Sequence, residues 1–373
     1  MADPDDRAPR EIVICSMEPW GNVRRRIQLL LSELLKLDPS LKVLYVEPPL
    51  DVAHAALSRR WVRGNPVGRV RHEGNVKVLR PLKPLPRVLG AASDRLLEAQ
   101  VMRAARVTGM HKPTLWVNDA NYAGLVARTQ WPALYDVTDD WLLASITDRE
   151  RRRLAQHDRY LLEIAQVVVV CSPDLAKSRG RQRAVELIPN GVDVKLFRDP
   201  QPRPSDLPNG PVALYPGVLH EDRLDVELCI DLATRRSDIH LVLVGPDALR
   251  SSTSAHLQSL ANVHVLGARP YTAVPSYLQH ADVLVVPHVR SPFTESLDPI
   301  KAYECVAVGR PTVATPVAGF RDLGPPVHVA DRDRFVGVVG GIIDGGWRPA
   351  LLRDVSSWTD RAVSFDAALR SCR

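Results

Sequence analysis

The sequence predicts an α/β chain of two doubly wound, Rossmann-like domains facing each other across a cleft. Three observations carry this. Short apolar runs alternate with amphipathic stretches of helical period, which is the pattern of a parallel sheet covered on both faces. The alternation occurs twice, on either side of residues 197–211 (FRDPQPRPSDLPNGP), a stretch too rich in Pro, Asn, Asp and Gly for regular structure. The length, 373 residues, is about twice that of one ordinary domain.

The elements follow in order. Residues 11–16 (EIVICS) read as a buried strand, 17–22 as a loop, 25–37 as an amphipathic helix, and 42–47 as a second strand halted by Pro48 and Pro49. Residues 114–118, 133–137 and 166–171 are further strands, each followed by a helix-like stretch. Between them, 53–86 is rich in Arg, Pro and Gly and is expected to hold a mobile loop. Beyond the linker, strands are expected at 212–215, 240–245, 263–266, 282–286 and 312–315. The expected division is 1–198 and 199–355, with a last helix at about 356–373 crossing back to the first domain.

Composition narrows the function. Hydrophobic residues at 45% and charged residues at 25% exclude a disordered chain and a polytopic membrane protein. The 49 Lys and Arg against 43 Asp and Glu are interspersed, so the charge of +6 is mild basicity and implies no nucleic-acid partner. Five scattered cysteines without a CxxC fit a reducing compartment. The opening MADPDDRAPR lacks the apolar core of a signal peptide, and no apolar run is long enough to span a membrane. A cytoplasmic protein is expected.

In open parallel sheets, ligands bind beyond the carboxyl ends of the strands. Residues 293–309 follow such a strand. Asp298 reads as an N-cap, Pro299 as the first helical residue and Gly309 as the C-terminal stop. Free amides at that helix start, with Lys301 in the first turn, suit a diphosphate. Glu304, one turn on, suits ribose hydroxyls. On an arbitrary helix Lys301 and Glu304 would instead be a solvated ion pair.

Residues 282–287 (DVLVVP), 298–304 (DPIKAYE) and 309–316 (GRPTVATP) together resemble the donor-binding segment of family 4 glycosyltransferases of the GT-B fold. Residues 188–193 (IPNGVD) with Phe197 resemble that family's domain junction, and 244–246 and 266–267 resemble its strand ends around the nucleotide base. Trp20-Gly21, 45–49 (YVEPP) and 135–141 (YDVTDDW) resemble one bacterial branch acting on small or envelope-linked acceptors. The resemblance covers most of residues 12–316.

It implies a retaining, metal-independent transferase moving sugar from a nucleotide-diphosphate sugar to an acceptor hydroxyl or amine. The first domain would take the acceptor and the second the sugar nucleotide. The nucleotide sugar would be a co-substrate with no further cofactor, its base (UDP, dTDP or GDP) left open. The acceptor would be a small molecule, a natural product or an envelope glycan. Glu304 would bind ribose; the backbone of Ser296, Leu297, Asp298 and Ile300, with Lys301, would hold the diphosphate. Gly21 would admit the backbone to the sugar nucleotide, and Arg269 would flank the base.

The sequence also departs from the family. Ser296 stands where an earlier glutamate is usual, with Glu295 one residue out of register. Val218 stands where an arginine is usual, which leaves Arg223 to neutralise the departing diphosphate as a catalytic residue. On the acceptor side, Asn118 and Asp119 replace a histidine; Asp119 and Asp139 are candidates to hold an acceptor hydroxyl, and both can equally be helix caps. Arg24, Arg25 and Arg26 oppose the dipole of the first helix, which suits an anionic partner or a membrane surface, and so a place at the inner face of the membrane. Asp331-Arg-Asp333 mimics a metal-binding motif of another fold and is rejected. No GxGxxG, P-loop or clustered histidines support a dehydrogenase, NTPase or zinc hydrolase. A nucleotide-sugar epimerase, or a catalytically silent subunit that binds nucleotide sugar, stays as the alternative.

Overall fold

The computed structural model describes residues 10–51, 68–83, 91–346 and 353–372. Its strands are β1 (Glu11–Cys15), β2 (Lys42–Val46), β3 (Leu50–Asp51), β4 (Val70–Glu73), β5 (Val76–Leu79), β6 (Leu82–Lys83), β7 (Thr114–Val117), β8 (Ala133–Val137), β9 (Val167–Val170) and β10 (Glu186–Leu187), then β11 (Val212–Pro216), β12 (His240–Val244), β13 (Val263–Gly267), β14 (Val283–Val286), β15 (Thr312–Ala314) and β16 (Val327–Val329). Among the described residues, one sheet has the order β10-β9-β8-β7-β1-β2-β5-β4, a second β13-β12-β11-β14-β15-β16, and β3 pairs with β6 alone. In the two large sheets every pairing is parallel except β4 with β5.

The expected α/β class is therefore the observed one, and its cause is visible strand by strand. All four valines of β9 and the whole of β14 are buried, as a strand covered on both faces requires. The covering helices are amphipathic: in Arg26–Leu37, Ile27, Leu30, Leu31 and Leu34 recur at one-turn spacing and are buried.

Three expectations are corrected. Residues 70–79 form a hairpin turning at Gly74, with β5 parallel to β2, where a mobile loop was expected; the rest of 53–86 apart from 68–83 lies outside the described residues. The polar edge strand β4 hides its pattern, because only one of its neighbours is a strand. The linker begins later than expected, because Phe197 belongs to a short helix, Val194–Arg198, and is fully buried. The first helix starts at Arg26, not Arg25.

The chain passes between the two sheets twice, and the two passes touch. Val192 N–H donates to Ser356 O (3.1 Å), and Trp358 N–H donates to Val192 O (3.2 Å). A Cβ on Gly191 would sit 2.8 Å from the Ser357 main chain, so only glycine allows this approach. The second pass delivers the helix Trp358–Ser371 onto the first helix, where Thr359 donates to Glu33 (2.9 Å). There Phe365 stacks on Trp116 of β7 with centroids 4.3 Å apart, both rings fully buried.

The order of each large sheet reverses beside its central strand, between β7 and β1 in one and between β11 and β14 in the other. Loops leaving those strands open a crevice at each sheet's carboxyl edge. Truncating Phe365→Ala should cost about 3–5 kcal/mol through the cavity left against Trp116. Urea denaturation of the variant is the check; a loss well below that range would show that the last helix contributes little to the first sheet's stability.

Candidate active site

The two crevices merge into one cavity of about 460 Å³ between the sheets. Its walls are the loops after β1, β7 and β8 on one side and those after β11, β12 and β14 on the other, with the start of the helix Ile300–Val308. Two glycines shape the second wall. Gly245, at φ +156°, leaves no room for a Cβ, which would lie 1.9 Å from Gly217 O; a Cβ on Gly217 would lie 2.4 Å from Lys301 Nζ. Gly245 is needed because the backbone of the loop after β11 fills the space beside it, and Gly217 because its own backbone sits at φ +145°.

The helix Ile300–Val308 gives the site its electrostatics. Its N-cap is Pro299, which provides no side-chain cap, and Gly309 closes it in the left-handed conformation at φ +73°. Lys301 is not paired with Glu304. Its ammonium donates to Tyr215 Oη (2.8 Å), lies 3.2 Å from His288 Nε2 and sits 4.2 Å over the Tyr215 ring. Burial, with Arg223 adding repulsion, brings Lys301 down to about 7. Burial likewise pushes Glu304 up to about 7, against the pull of Lys301. Burial first, then Lys301 and Arg223, holds His288 well below its usual range, so it is neutral.

Arg223 reaches across the cleft. Its guanidinium lies 3.7 Å from Asp139 and 5.3 Å from the Phe293 ring centroid. Phe293 in turn packs on Trp141 with centroids 5.6 Å apart. Lys301, Arg223 and the N–H groups of an uncapped helix start thus converge on one wall, an arrangement suited to a polyanion.

The sequence-predicted residues divide between this cleft and other tasks. Arg223, Leu297, Asp298, Ile300, Lys301, Glu304, Arg269 and Asp139 line it. Asp298 is not the expected N-cap: the helix begins one residue later, and the carboxylate accepts from Asn190 N–H (2.6 Å) and Tyr303 Oη (2.8 Å). Ser296 lies outside the lining; its hydroxyl donates to Phe293 O and its carbonyl accepts from Ser172 (2.7 Å). Arg269 has its guanidinium on Tyr277, Leu266 O and Asp206. Gly21 is exposed, and a Cβ there would meet nothing within 4 Å.

Asp119 caps a 3-10 turn through Asn121 N–H (2.9 Å) and faces a second pocket of about 170 Å³. Asn118 is spent holding Met17, Asp136 and Thr138. Arg24, Arg25 and Arg26, expected to meet an anion, all line the cleft, but the Arg26 guanidinium is already engaged by Asp136 (3.2 Å) and Asn190 (3.1 Å). Sequence reasoning missed Tyr215, His288 and Glu18. The signal for the first two was their position at or just beyond the carboxyl ends of β11 and β14. Among the described residues no three His, Cys, Asp or Glu side chains gather as metal ligands, and no helix is long and apolar enough to cross a membrane.

Comparison with known proteins adds a family match over part of the chain, and the fold. Residues 210–336 match the family model "Glycosyl transferases group 1". A Bacillus subtilis (strain 168) protein described as "Putative teichuronic acid biosynthesis glycosyltransferase TuaH" is 26% identical over 220 residues, 54% of this chain and 55% of that one, so the match spans about half of that relative. Among solved structures, sucrose-phosphate synthase from Thermosynechococcus elongatus aligns over 97% of this chain and 98% of its own, with TM-score 0.73 and 18% identity. Anabaena HepE in complex with UDP and glucose aligns over 97% and 100%, with TM-score 0.67 and 15% identity. The fold is thus the GT-B arrangement.

The buried pair on the helix Ile300–Val308 makes a pH-dependent prediction. Glu304 binds its proton more tightly folded than unfolded, so between about 4.3 and 7 its contribution to stability is lost as pH rises. Lys301 binds its proton less tightly folded, so between about 7 and 10.4 stability rises with pH. Urea titrations without nucleotide should therefore show a smaller fall in Glu304→Gln, where Glu18, also raised to about 7, keeps its own part, and a smaller rise in Lys301→Met. A variant profile that overlays the wild type contradicts the desolvation of that group.

Proposed function

We propose that the chain is a glycosyltransferase that moves a sugar from a nucleotide-diphosphate sugar to an acceptor hydroxyl or amine, with retention and without a metal ion. The observation that carries this is the convergence of Lys301, Arg223 and the uncapped start of Ile300–Val308 on one wall of the cleft, with Glu304 one turn behind. UDP is the preferred nucleotide, on the strength of the fold shared with a neighbour solved with UDP. The bacterial relative, named for teichuronic acid biosynthesis, supports a glycan of that kind as acceptor, and Arg24 and Arg25 in the cleft suit an anionic one.

The chain's own residues then divide the labour. Lys301, the helix amides and Arg223 bind the diphosphate, and their attraction grows as the C1–O bond breaks and charge collects on the departing phosphate. Glu304, ionised above about 7, accepts hydrogen bonds from the ribose hydroxyls. Pro246 and Tyr271 line the cleft where the base would lie. The acceptor approaches from the first sheet's side. Its oxygen bonds to C1 on the face that the phosphate leaves, and its proton ends on the released diphosphate. With two cations and a helix start facing the phosphates, the charge is met by protein groups.

The test is thermal stabilisation by UDP, dTDP, GDP, ADP and NAD, followed by turnover of the sugar nucleotides that bind. One nucleotide should stabilise the wild type by about 2.7 kcal/mol at a hundredfold excess over its Kd, and Glu304→Ala should abolish that shift. Arg223→Ala should lower kcat by about 10²–10³, and a chelator should leave the rate unchanged. Stabilisation by NAD alone, or normal turnover in both variants, contradicts the assignment.

A further inference from the structure

Glu18 is a cleft carboxylate to which the reading above gives no task. It stands in the loop after β1, at the reversal point of the first sheet. Its backbone is fixed at both ends: the N–H donates to Ser16 Oγ (2.9 Å), and the carbonyl accepts from Tyr45 Oη (2.9 Å). Its side chain is not held: Oε2 is shielded from solvent and accepts no hydrogen bond. A buried carboxylate oxygen without a partner is costly, and such groups in a rigid frame call for an explanation.

A second group nearby has the complementary lack. The 170 Å³ pocket and the main cleft share Met17, Asn118, Thr138, Asp139 and Trp141, so they meet at one mouth. In that mouth Trp141 Nε1 is buried and donates to nothing. Glu18 lines the main cleft and Trp141 lines both cavities, so an unused side-chain acceptor and an unused side-chain donor lie in the walls here, each atom covered by its neighbours. A polyol satisfies both, because each hydroxyl donates one hydrogen bond and accepts others.

Resting on the transferase reading, we propose that Glu18 is a catalytic residue that accepts the hydrogen bond of the nucleophilic hydroxyl of a sugar-like acceptor, while Trp141 Nε1 donates to another oxygen of the same molecule lodged at the pocket mouth. The ionised carboxylate turns the oxygen lone pair towards C1. The C1–O bond to phosphate breaks, the C1–O bond to the acceptor forms, the hydroxyl proton passes to the Glu18 carboxylate as that bond forms and from it to the released diphosphate, and Glu18 ends ionised as it began. Burial raises Glu18 to about 7; Asp139 and Asp136 act in the same direction, while Arg25 and Arg26 oppose them. Tyr45 of β2, whose hydroxyl holds the Glu18 carbonyl, is kept neutral by burial.

The experiment measures nucleotide release from UDP-glucose, UDP-galactose, UDP-N-acetylglucosamine and GDP-mannose, with water and with glycerol as surrogate acceptors, from pH 5.5 to 9. Glu18→Gln should lower kcat about 10²-fold or more and flatten the limb that rises through pH 7, of which Glu304 keeps its own share, with the Kd for the nucleotide changed less than about threefold. Glu18→Asp should recover part of the rate, and Trp141→Phe should raise the KM for glycerol more than it lowers kcat. Loss of nucleotide affinity in step with rate, an unchanged pH profile in Glu18→Gln, or a wild type that binds nucleotide sugar and releases nothing overturns the proposal. A wild type that no nucleotide stabilises overturns the transferase reading first, and this inference with it.

Discussion

One buried ion pair holds the parts of this molecule in register. Arg26, at the first turn of the first helix, meets Asp136 of β8, which is wholly out of solvent. The same carboxylate accepts from Trp116 Nε1 (3.1 Å), whose ring carries Phe365 of the last helix. The same guanidinium donates to Asn190 in the segment joining the two sheets, and Asn190 in turn binds Asp298 at the entrance to the helix Ile300–Val308. Breaking such a pair strands a charge in a medium that cannot solvate it, at a cost of about 3–5 kcal/mol. Six segments spread through the sequence are therefore linked through one anchor, and the entrance to the helix Ile300–Val308 is the last of them.

The cleft works by the opposite logic. Where Arg26 and Asp136 satisfy each other, Lys301 and Glu304 are buried without mutual contact and sit near the point where each changes charge. On the proposed function, a diphosphate at Lys301 would supply the counter-charge that Glu304 does not. This is a strained arrangement in the empty protein, and it costs stability that an ordinary helix surface would not.

How much of this could be read in advance depends on whether the cause is local. The strands 133–137 and 212–215 were legible because runs such as ALYDV and VALY carry their burial in their own composition. The helix Ile300–Val308 was legible from Pro299 and Gly309 at its ends, and Lys301 and Glu304 from their position in its first two turns. The surroundings of Lys301 were not, since Tyr215 lies 86 residues away on another strand. Asp298 before a proline imitates a cap; only the fold shows that Asn190 has captured it. Arg26 imitates its solvated neighbours Arg24 and Arg25 because helical periodicity alone does not identify a buried partner on β8. The hairpin 70–79 escaped because an edge strand such as VRHE has no apolar alternation to display.

The paired passage at Val192 and Ser357 has a mechanical consequence. Two strands joined by main-chain hydrogen bonds resist torsion far more than one, as a ribbon does compared with a thread. Twisting one half against the other would load both main-chain passes at once, so this ribbon helps hold Arg223 and Asp139 in register across the cleft.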